Sequence, residues 1–124
     1  MSPLEEARGH LAKAEEFLSE AESALKSGHL SVATSNAVIA GINAKDAMCL
    51  ALVGKTSKSD DHRQAVPELR KAGKVGAELA PTLDRLFKPK TRARYQSLPM
   101  AQKDAEIAVR QAGQLVAGAR ALLA

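Results

Sequence analysis

The sequence is poor in aromatic residues and in cysteine. It contains two Phe, one Tyr and no Trp among 124 residues, so it lacks the large flat side chains that fill β-sandwich cores and form base-stacking platforms. Its one cysteine, Cys49, has no partner for an intramolecular disulfide. No uninterrupted apolar run approaches the about 18–20 residues that cross a bilayer, and the acidic, amphipathic start does not resemble a secretory signal. We expect a cytoplasmic protein without a membrane segment.

Alanine and leucine dominate what is present. The chain holds 24 Ala and 15 Leu, and 45% of its residues are hydrophobic. Both residue types favour helices, and 124 residues suffice for one domain that buries most of its apolar surface without disulfides or metals. The composition therefore predicts an all-α protein with a single domain over residues 1–124.

The net charge of +4 is unevenly distributed. Residues 1–54 carry four basic and seven acidic side chains. Residues 55–94 carry eleven basic and five acidic side chains, and residues 95–124 carry three basic and two acidic side chains. The middle segment is therefore the basic part, at +6. Such an excess favours attraction to phosphates or to an acidic partner surface, and it carries no information on the fold.

Two long helices are predicted in the first half of the chain. Ser2 as N-cap, Pro3 at the first helical position and Glu5 form a capping-box pattern. Apolar residues then recur every three or four positions until Gly28, which favours a left-handed stop. The second helix is predicted over residues 30–53, and its small side chains allow another helix to approach closely.

The second half is predicted to hold a third helix, a short fourth segment and a long last helix. Pro67 should kink or restart the third helix, which ends before residue 73. The fourth segment covers residues 81–87, and the last helix begins near residues 98–99. Three residues can cap the third helix, namely Ser59, Asp60 and Asp61. The pattern predicts an up-and-down four-helix-type bundle with an extra short, irregular helix before the last long helix.

Three segments of the chain carry a family resemblance. They are the small-residue second helix over residues 35–47, the Asp61-His62-Arg63 turn that opens the third helix, and Arg92-Ala93-Arg94-Tyr95 before a capped, Ala-rich last helix. In this order they resemble the HEPN domain, a helical-bundle family found with minimal nucleotidyltransferases and as RNases in toxin–antitoxin and defence systems. The resemblance covers nearly the whole chain and implies a homodimer with its functional cleft between the two copies.

The resemblance also gives a test for RNA cleavage, because HEPN RNases carry an Arg that is followed after four to six residues by His. The three histidines are His10, His29 and His62, and none has Arg five to seven positions before it. Arg92 or Arg94 matches the family's functional Arg region, but no imidazole follows to move a proton at neutral pH. We therefore expect binding without cleavage of the family type.

The first candidate site is a basic cluster near the end of the middle segment. Guanidinium and ammonium groups can hold a phosphate chain while a neighbouring ring stacks on a base. The cluster, which we call the basic cluster, consists of Lys88, Lys90, Arg92, Arg94 and Tyr95. The alternative interpretation is a solvated loop without a partner.

The second candidate is a polar strip on the second helix, where the resemblance implies polar residues in the intersubunit cleft. The polar strip consists of Ser35, Asn36, Asn43 and Asp46. Its pattern predicts half burial at best, and its side chains could equally bond across a helix pair or face solvent. His62, at the predicted start of the third helix, is a weaker candidate acid or base, and its ordinary interpretation is an exposed histidine at a capping turn.

The sequence contains no grouping of residues that is typical of a catalytic site, and we predict neither a metal nor a cofactor. Three functions stay open. The favoured one is a homodimer that binds RNA or nucleotide, or that partners a nucleotidyltransferase, in a toxin–antitoxin or defence-type system. The second is a metal-independent RNase, an endoribonuclease in which a degenerate motif assembles across the dimer from Arg94, His62, Asn43 and Asp46. The third is a purely structural protein-interaction bundle.

Overall fold

The computed structural model describes residues 1–88, 97 and 99–124. Within these ranges the chain forms five α-helices and no strand. In chain order they are α1 (Pro3–Lys26), α2 (Leu30–Val53), α3 (His62–Arg70), α4 (Lys74–Phe87) and α5 (Gln102–Leu122). The predicted all-α bundle is confirmed, with three long helices and two shorter ones before the last.

Both ends of α1 form as the sequence predicts. The Ser2 hydroxyl accepts a hydrogen bond from the Glu5 N–H at 3.1 Å, and the Glu5 carboxylate reaches back to the Ser2 N–H, which completes the capping box. Gly28 adopts a φ of 76° after the helix, a conformation that side chains resist. This short turn brings α2 back along α1, against which it packs most extensively.

The central helix of the bundle is α2, which packs against all four others. Gly41 lies where α4 and α5 come close, since a Cβ at this position would collide with the Leu86 side chain and lie 3.2 Å from that of Leu115. By length and composition alone α2 is apolar enough to cross a membrane, but 61% of its most apolar stretch is buried within the fold. That burial is typical of a core helix.

The third and fourth helices differ from the prediction. Asp61, one of the three predicted caps, precedes α3, and the helix continues through Pro67 without a restart. Helix α4 begins at Lys74 and not at the predicted residue 81. Pro81 instead lies inside α4 on an exposed side, where water can hydrate the carbonyl that loses its N–H partner.

The last helix closes the core against α1, α2 and α4. It begins at Gln102, later than predicted, because Ala101 keeps an extended backbone with a ψ of 141°. Leu98, which the prediction placed near its start, lies outside the described residues. The predicted apolar seam is buried at Ala105, Ala108, Ala112, Leu115 and Ala119.

Candidate functional site

Buried charges join α2 to α3. The Lys45 side chain is 0% exposed, and its Nζ lies 2.6 Å from Asp46 Oδ1 and 2.7 Å from Glu68 Oε1. Asp46 is 3% exposed, whereas the Glu68 side chain is 26% exposed at the edge of the fold. Because a buried charge is costly without a partner, this arrangement holds α3 in place on α2. We call the set Lys45, Asp46, Glu68, Thr56 and Ser57 the charged network.

Thr56 and Ser57 contribute to the charged network from the connection between α2 and α3. The Thr56 hydroxyl donates to Asp46 Oδ1 at 2.5 Å and accepts from Lys45 Nζ at 3.2 Å. Ser57 donates its backbone N–H to Glu68 Oε2 at 2.9 Å and its hydroxyl to Glu68 Oε1 at 3.1 Å. Residues 55–61 form no regular secondary structure, so these bonds fix the course of the connection.

The charges of the network stabilise one another. Burial alone would lower the pKa of Lys45, but hydrogen bonds and attraction from Asp46 and Glu68 raise it above its ordinary value. Burial alone would raise the pKa of Glu68, but the contacts with Lys45 and Ser57 bring it below its ordinary value. Both groups are therefore charged at neutral pH. Burial raises the pKa of the nearby Cys49 thiol to about 12, which leaves it protonated and unreactive.

His10 of α1 lies at the outer edge of the charged network. Its Nδ1 is 3.0 Å from Asn43 Oδ1 and 3.9 Å from Asp46 Oδ2. The Asn43 amide is itself held, since its Nδ2 donates to the Ile39 carbonyl at 3.0 Å. Asp46 thus directs one carboxylate oxygen to the network and the other towards His10. The structure brings Asn43 and Asp46 together with a histidine to which the sequence analysis assigned no role.

The predicted polar strip divides into two parts. Ser35 and Asn36 are half-buried near the start of α2, about two helical turns before Asn43. Asp46 is buried, which corrects the expectation that the strip is half-buried at best. The physical reason is that Lys45 and the Thr56 hydroxyl replace the water that a buried carboxylate loses.

His62 lies on another part of the fold. It is exposed at the first position of α3, and its ring packs on Phe87 of α4 with centroids 5.7 Å apart. Asp61 caps α3 by accepting from the Arg63 N–H at 3.0 Å, and it also pairs with the Arg63 guanidinium at 3.1 Å. In the described part of the chain, the histidine bonded to Asn43 is His10 and not His62.

The predicted basic cluster falls mostly beyond the described residues. Lys88 follows α4 directly and is exposed. The other four members lie outside the described ranges, namely Lys90, Arg92, Arg94 and Tyr95. Further exposed cations surround the turn from α3 to α4, at Arg70, Lys71 and Lys74. Among the described residues none of these three forms an ion pair.

A family model describing the HEPN domain matches residues 7–121, which is nearly the whole chain. The chain belongs to the HEPN family. The match extends through all five helices and confirms the resemblance seen in the sequence. HEPN membership supports a function related to nucleotides or RNA, or one like that of an RNase, in general terms. The curated proteins contain no match to the chain.

The HEPN bundle has functional candidates that sequence reasoning missed. The adjacent charges Lys45 and Asp46 within an apolar helix were a usable signal, because buried charges require partners. Thr56 and Glu68 could not be identified as those partners, since they meet α2 only in the tertiary fold. His10 gave no signal for the same reason. Among the described residues, no group of three or more His, Cys, Asp or Glu could hold a metal ion.

Proposed function

We propose that this HEPN protein binds RNA or nucleotides through the basic cluster. The observation that carries the proposal is the +6 charge of residues 55–94 in a chain whose family has nucleotide- and RNA-related functions. Phosphate groups are recognised by Arg and Lys, and Arg can form two parallel hydrogen bonds with one phosphate. Arg92 and Arg94 are therefore the proposed phosphate ligands, with Tyr95 as a ring on which a base can stack.

Ion pairing within the fold supports this proposal. Among the described residues of the middle segment, Asp61 pairs with Arg63 and Glu68 pairs with the buried Lys45 from α2. The exposed cations around the turn from α3 to α4 lie in the same segment as the basic cluster. A polyanion that approaches this segment therefore meets a positive field, which raises its association rate and its affinity.

We propose further that the protein acts as a homodimer in the cytoplasm. Exposed apolar side chains on α1 and α2 support self-association, since Leu4 is 50% exposed and Val32 is 54% exposed. The lone free Cys49 is compatible with a reducing compartment. Pairing with a nucleotidyltransferase in a toxin–antitoxin or defence-type system is the second candidate. Light scattering on the purified protein tests the dimer, and a monomer at all concentrations would contradict it.

Binding is tested with a labelled single-stranded RNA over a series of salt concentrations. The double variant Arg92→Glu/Arg94→Glu should weaken binding about 10-fold or more near about 0.15 M salt. It should also reduce the slope of log affinity against log salt by about 1.4, because each phosphate contact on a single strand contributes roughly 0.7.

A matched control separates the basic cluster from net charge. Lys26→Glu/Arg110→Glu changes the net charge equally, at exposed positions outside residues 55–94, and should leave the salt slope unchanged. An equal loss of affinity in both double variants would show that net charge alone attracts RNA. Absence of binding by the unaltered protein at low salt would overturn the proposed function.

A further inference from the structure

The exposed side of α4 carries its cations in one line. Positions 74, 78, 81, 85 and 88 follow one another by three or four residues, and all are exposed. Side chains at such spacings lie on one face of a helix. Three of these residues are cations, namely Lys74, Arg85 and Lys88, and the other two are Glu78 and Pro81. The exposed face of α4 is therefore mainly basic along its whole length.

The turn from α3 to α4 adds two cations next to the start of α4. Arg70 is the last residue of α3 and Lys71 follows it, and both side chains are exposed. The turn is held in place, because α4 begins so close to α3 that a Cβ at Gly76 would collide with the Leu69 carbonyl oxygen. The five cations, which we call the α4 track, are Arg70, Lys71, Lys74, Arg85 and Lys88.

The fold does not use the charges of the α4 track. Among the described residues, no ion pair includes one of these cations. The Arg85 guanidinium donates to the Thr82 hydroxyl at 3.5 Å and has further N–H groups for a ligand. Lys74 occupies the first position of α4, whose first turn holds no acidic residue, although a cation there opposes the helix dipole. The stability of the bundle therefore does not explain why these positions are basic.

We propose that the α4 track holds the phosphate backbone of a single-stranded RNA. Lys74 and Lys88 lie about 20 Å apart along α4, at a rise of about 1.5 Å per residue. A stacked strand rises about 3.4 Å per nucleotide, so this distance corresponds to about six phosphates. A chain of regularly spaced negative charges is the partner that fits a line of unpaired cations.

The inference rests on the proposed RNA binding and extends it to a second surface. The basic cluster and the α4 track share Lys88, which follows α4 directly. A strand bound by the basic cluster can therefore continue along α4 to the turn between α3 and α4. Only an RNA of sufficient length reaches Lys74, whereas a short RNA is held by the basic cluster alone. The dependence of affinity on RNA length thus separates the two surfaces.

The test compares labelled single-stranded RNAs of about 4 and about 20 nucleotides, one shorter and one longer than the α4 track, over a series of salt concentrations. Lys71→Glu/Lys74→Glu should weaken binding of the long RNA about 10-fold or more near about 0.15 M salt. It should also lower the salt slope by about 1.4, because each phosphate contact contributes roughly 0.7. Binding of the short RNA should change little, since about 20 Å exceeds the Debye length of about 8 Å at this salt concentration.

A second variant tests the same surface by a gain of binding. Glu78→Lys replaces the one acidic side chain in the line on α4, so it should strengthen binding of the long RNA and raise the salt slope by about 0.7. Glu22→Lys, at an exposed position on α1, changes the net charge equally and should leave the slope unchanged. For the loss of binding, Lys26→Glu/Arg110→Glu is again the control of equal charge.

The outcomes distinguish this inference from the proposed function. Long RNA that binds Lys71→Glu/Lys74→Glu as tightly as the unaltered protein, but Arg92→Glu/Arg94→Glu more weakly, would overturn the inference and leave the proposed function standing. An equal loss for short and long RNA, or an equal gain in Glu78→Lys and Glu22→Lys, would also overturn it. Tighter binding of a polyglutamate peptide than of RNA, lost in the same variant, would assign the α4 track to an acidic protein partner instead. Absence of RNA binding at low salt would overturn both proposals.

Discussion

The charged network makes Lys45→Met the most informative stability variant. Methionine fills much of the space of the lysine stem but leaves the Asp46 carboxylate, 3% exposed, without its cation. Glu68 can turn to water because its side chain is 26% exposed, so the main cost arises at Asp46. Removing one partner of a buried ion pair costs about 3–5 kcal/mol. For a chain of this size that corresponds to a fall in Tm of roughly 10–20 °C.

Urea unfolding followed by far-UV circular dichroism measures this change, which suits a helical protein without Trp. Lys26→Met, at an exposed position on α1, is the control and should change the free energy of unfolding by less than about 0.5 kcal/mol. The double variant Lys45→Met/Asp46→Asn should recover about 1–3 kcal/mol of the Lys45→Met loss, because it removes the uncompensated charge. A Lys45→Met loss below about 1 kcal/mol, or a double variant less stable than Lys45→Met, would refute this reasoning.

Three further predictions follow from other contacts. The pKa of the Cys49 thiol is raised to about 12, so Cys49 should resist a thiol reagent at pH 8 in the folded protein and react at once in urea. Equal reaction rates in the folded and the urea-unfolded protein would show that the thiol is exposed to solvent. Gly41→Ala should destabilise the folded protein by about 1–3 kcal/mol, because the added Cβ collides with Leu86. Gly9→Ala, in open space on α1, should stabilise the protein by about 0.5–1 kcal/mol. Equal changes in the free energy of unfolding in urea would contradict this packing. Because the pKa of Glu68 lies below its ordinary 4.5, its contribution is present above pH 4.5 and is lost as the pH falls through the lowered value. Glu68→Gln should therefore be less stable than the unaltered protein at neutral pH, and the two free energies of unfolding should become equal in acid. A difference in unfolding free energy that stays constant from neutral pH to acid would argue against the ion pair.

Local signals allowed much of the fold to be predicted. The Ser2 cap and Gly28 act within one turn of the chain, and both ends of α1 form as predicted. The prolines misled the prediction because their effect depends on the surroundings. Pro67 and Pro81 remain within α3 and α4, where packing against the core outweighs the loss of one backbone hydrogen bond.

The candidate site was only partly predictable. Asn43 and Asp46 share a face of α2, which the helical period reveals. Their partner His10 lies 33 residues earlier than Asn43, and no local pattern links the two positions. The same holds for Glu68, which meets Lys45 across 23 residues. Pairing at such separations follows from how the helices pack, and a single sequence does not record it.

Asp46 connects the charged network to His10. A buried ion pair is weak evidence for stability, since apolar residues of similar volume often replace one without loss. The second oxygen of Asp46, however, lies 3.9 Å from His10 Nδ1, a contact that an apolar residue cannot reproduce. Lys45→Met/Asp46→Leu should therefore fold with a stability close to that of the unaltered protein in urea unfolding. If this variant instead loses as much stability as Lys45→Met, the paired charges themselves stabilise the fold.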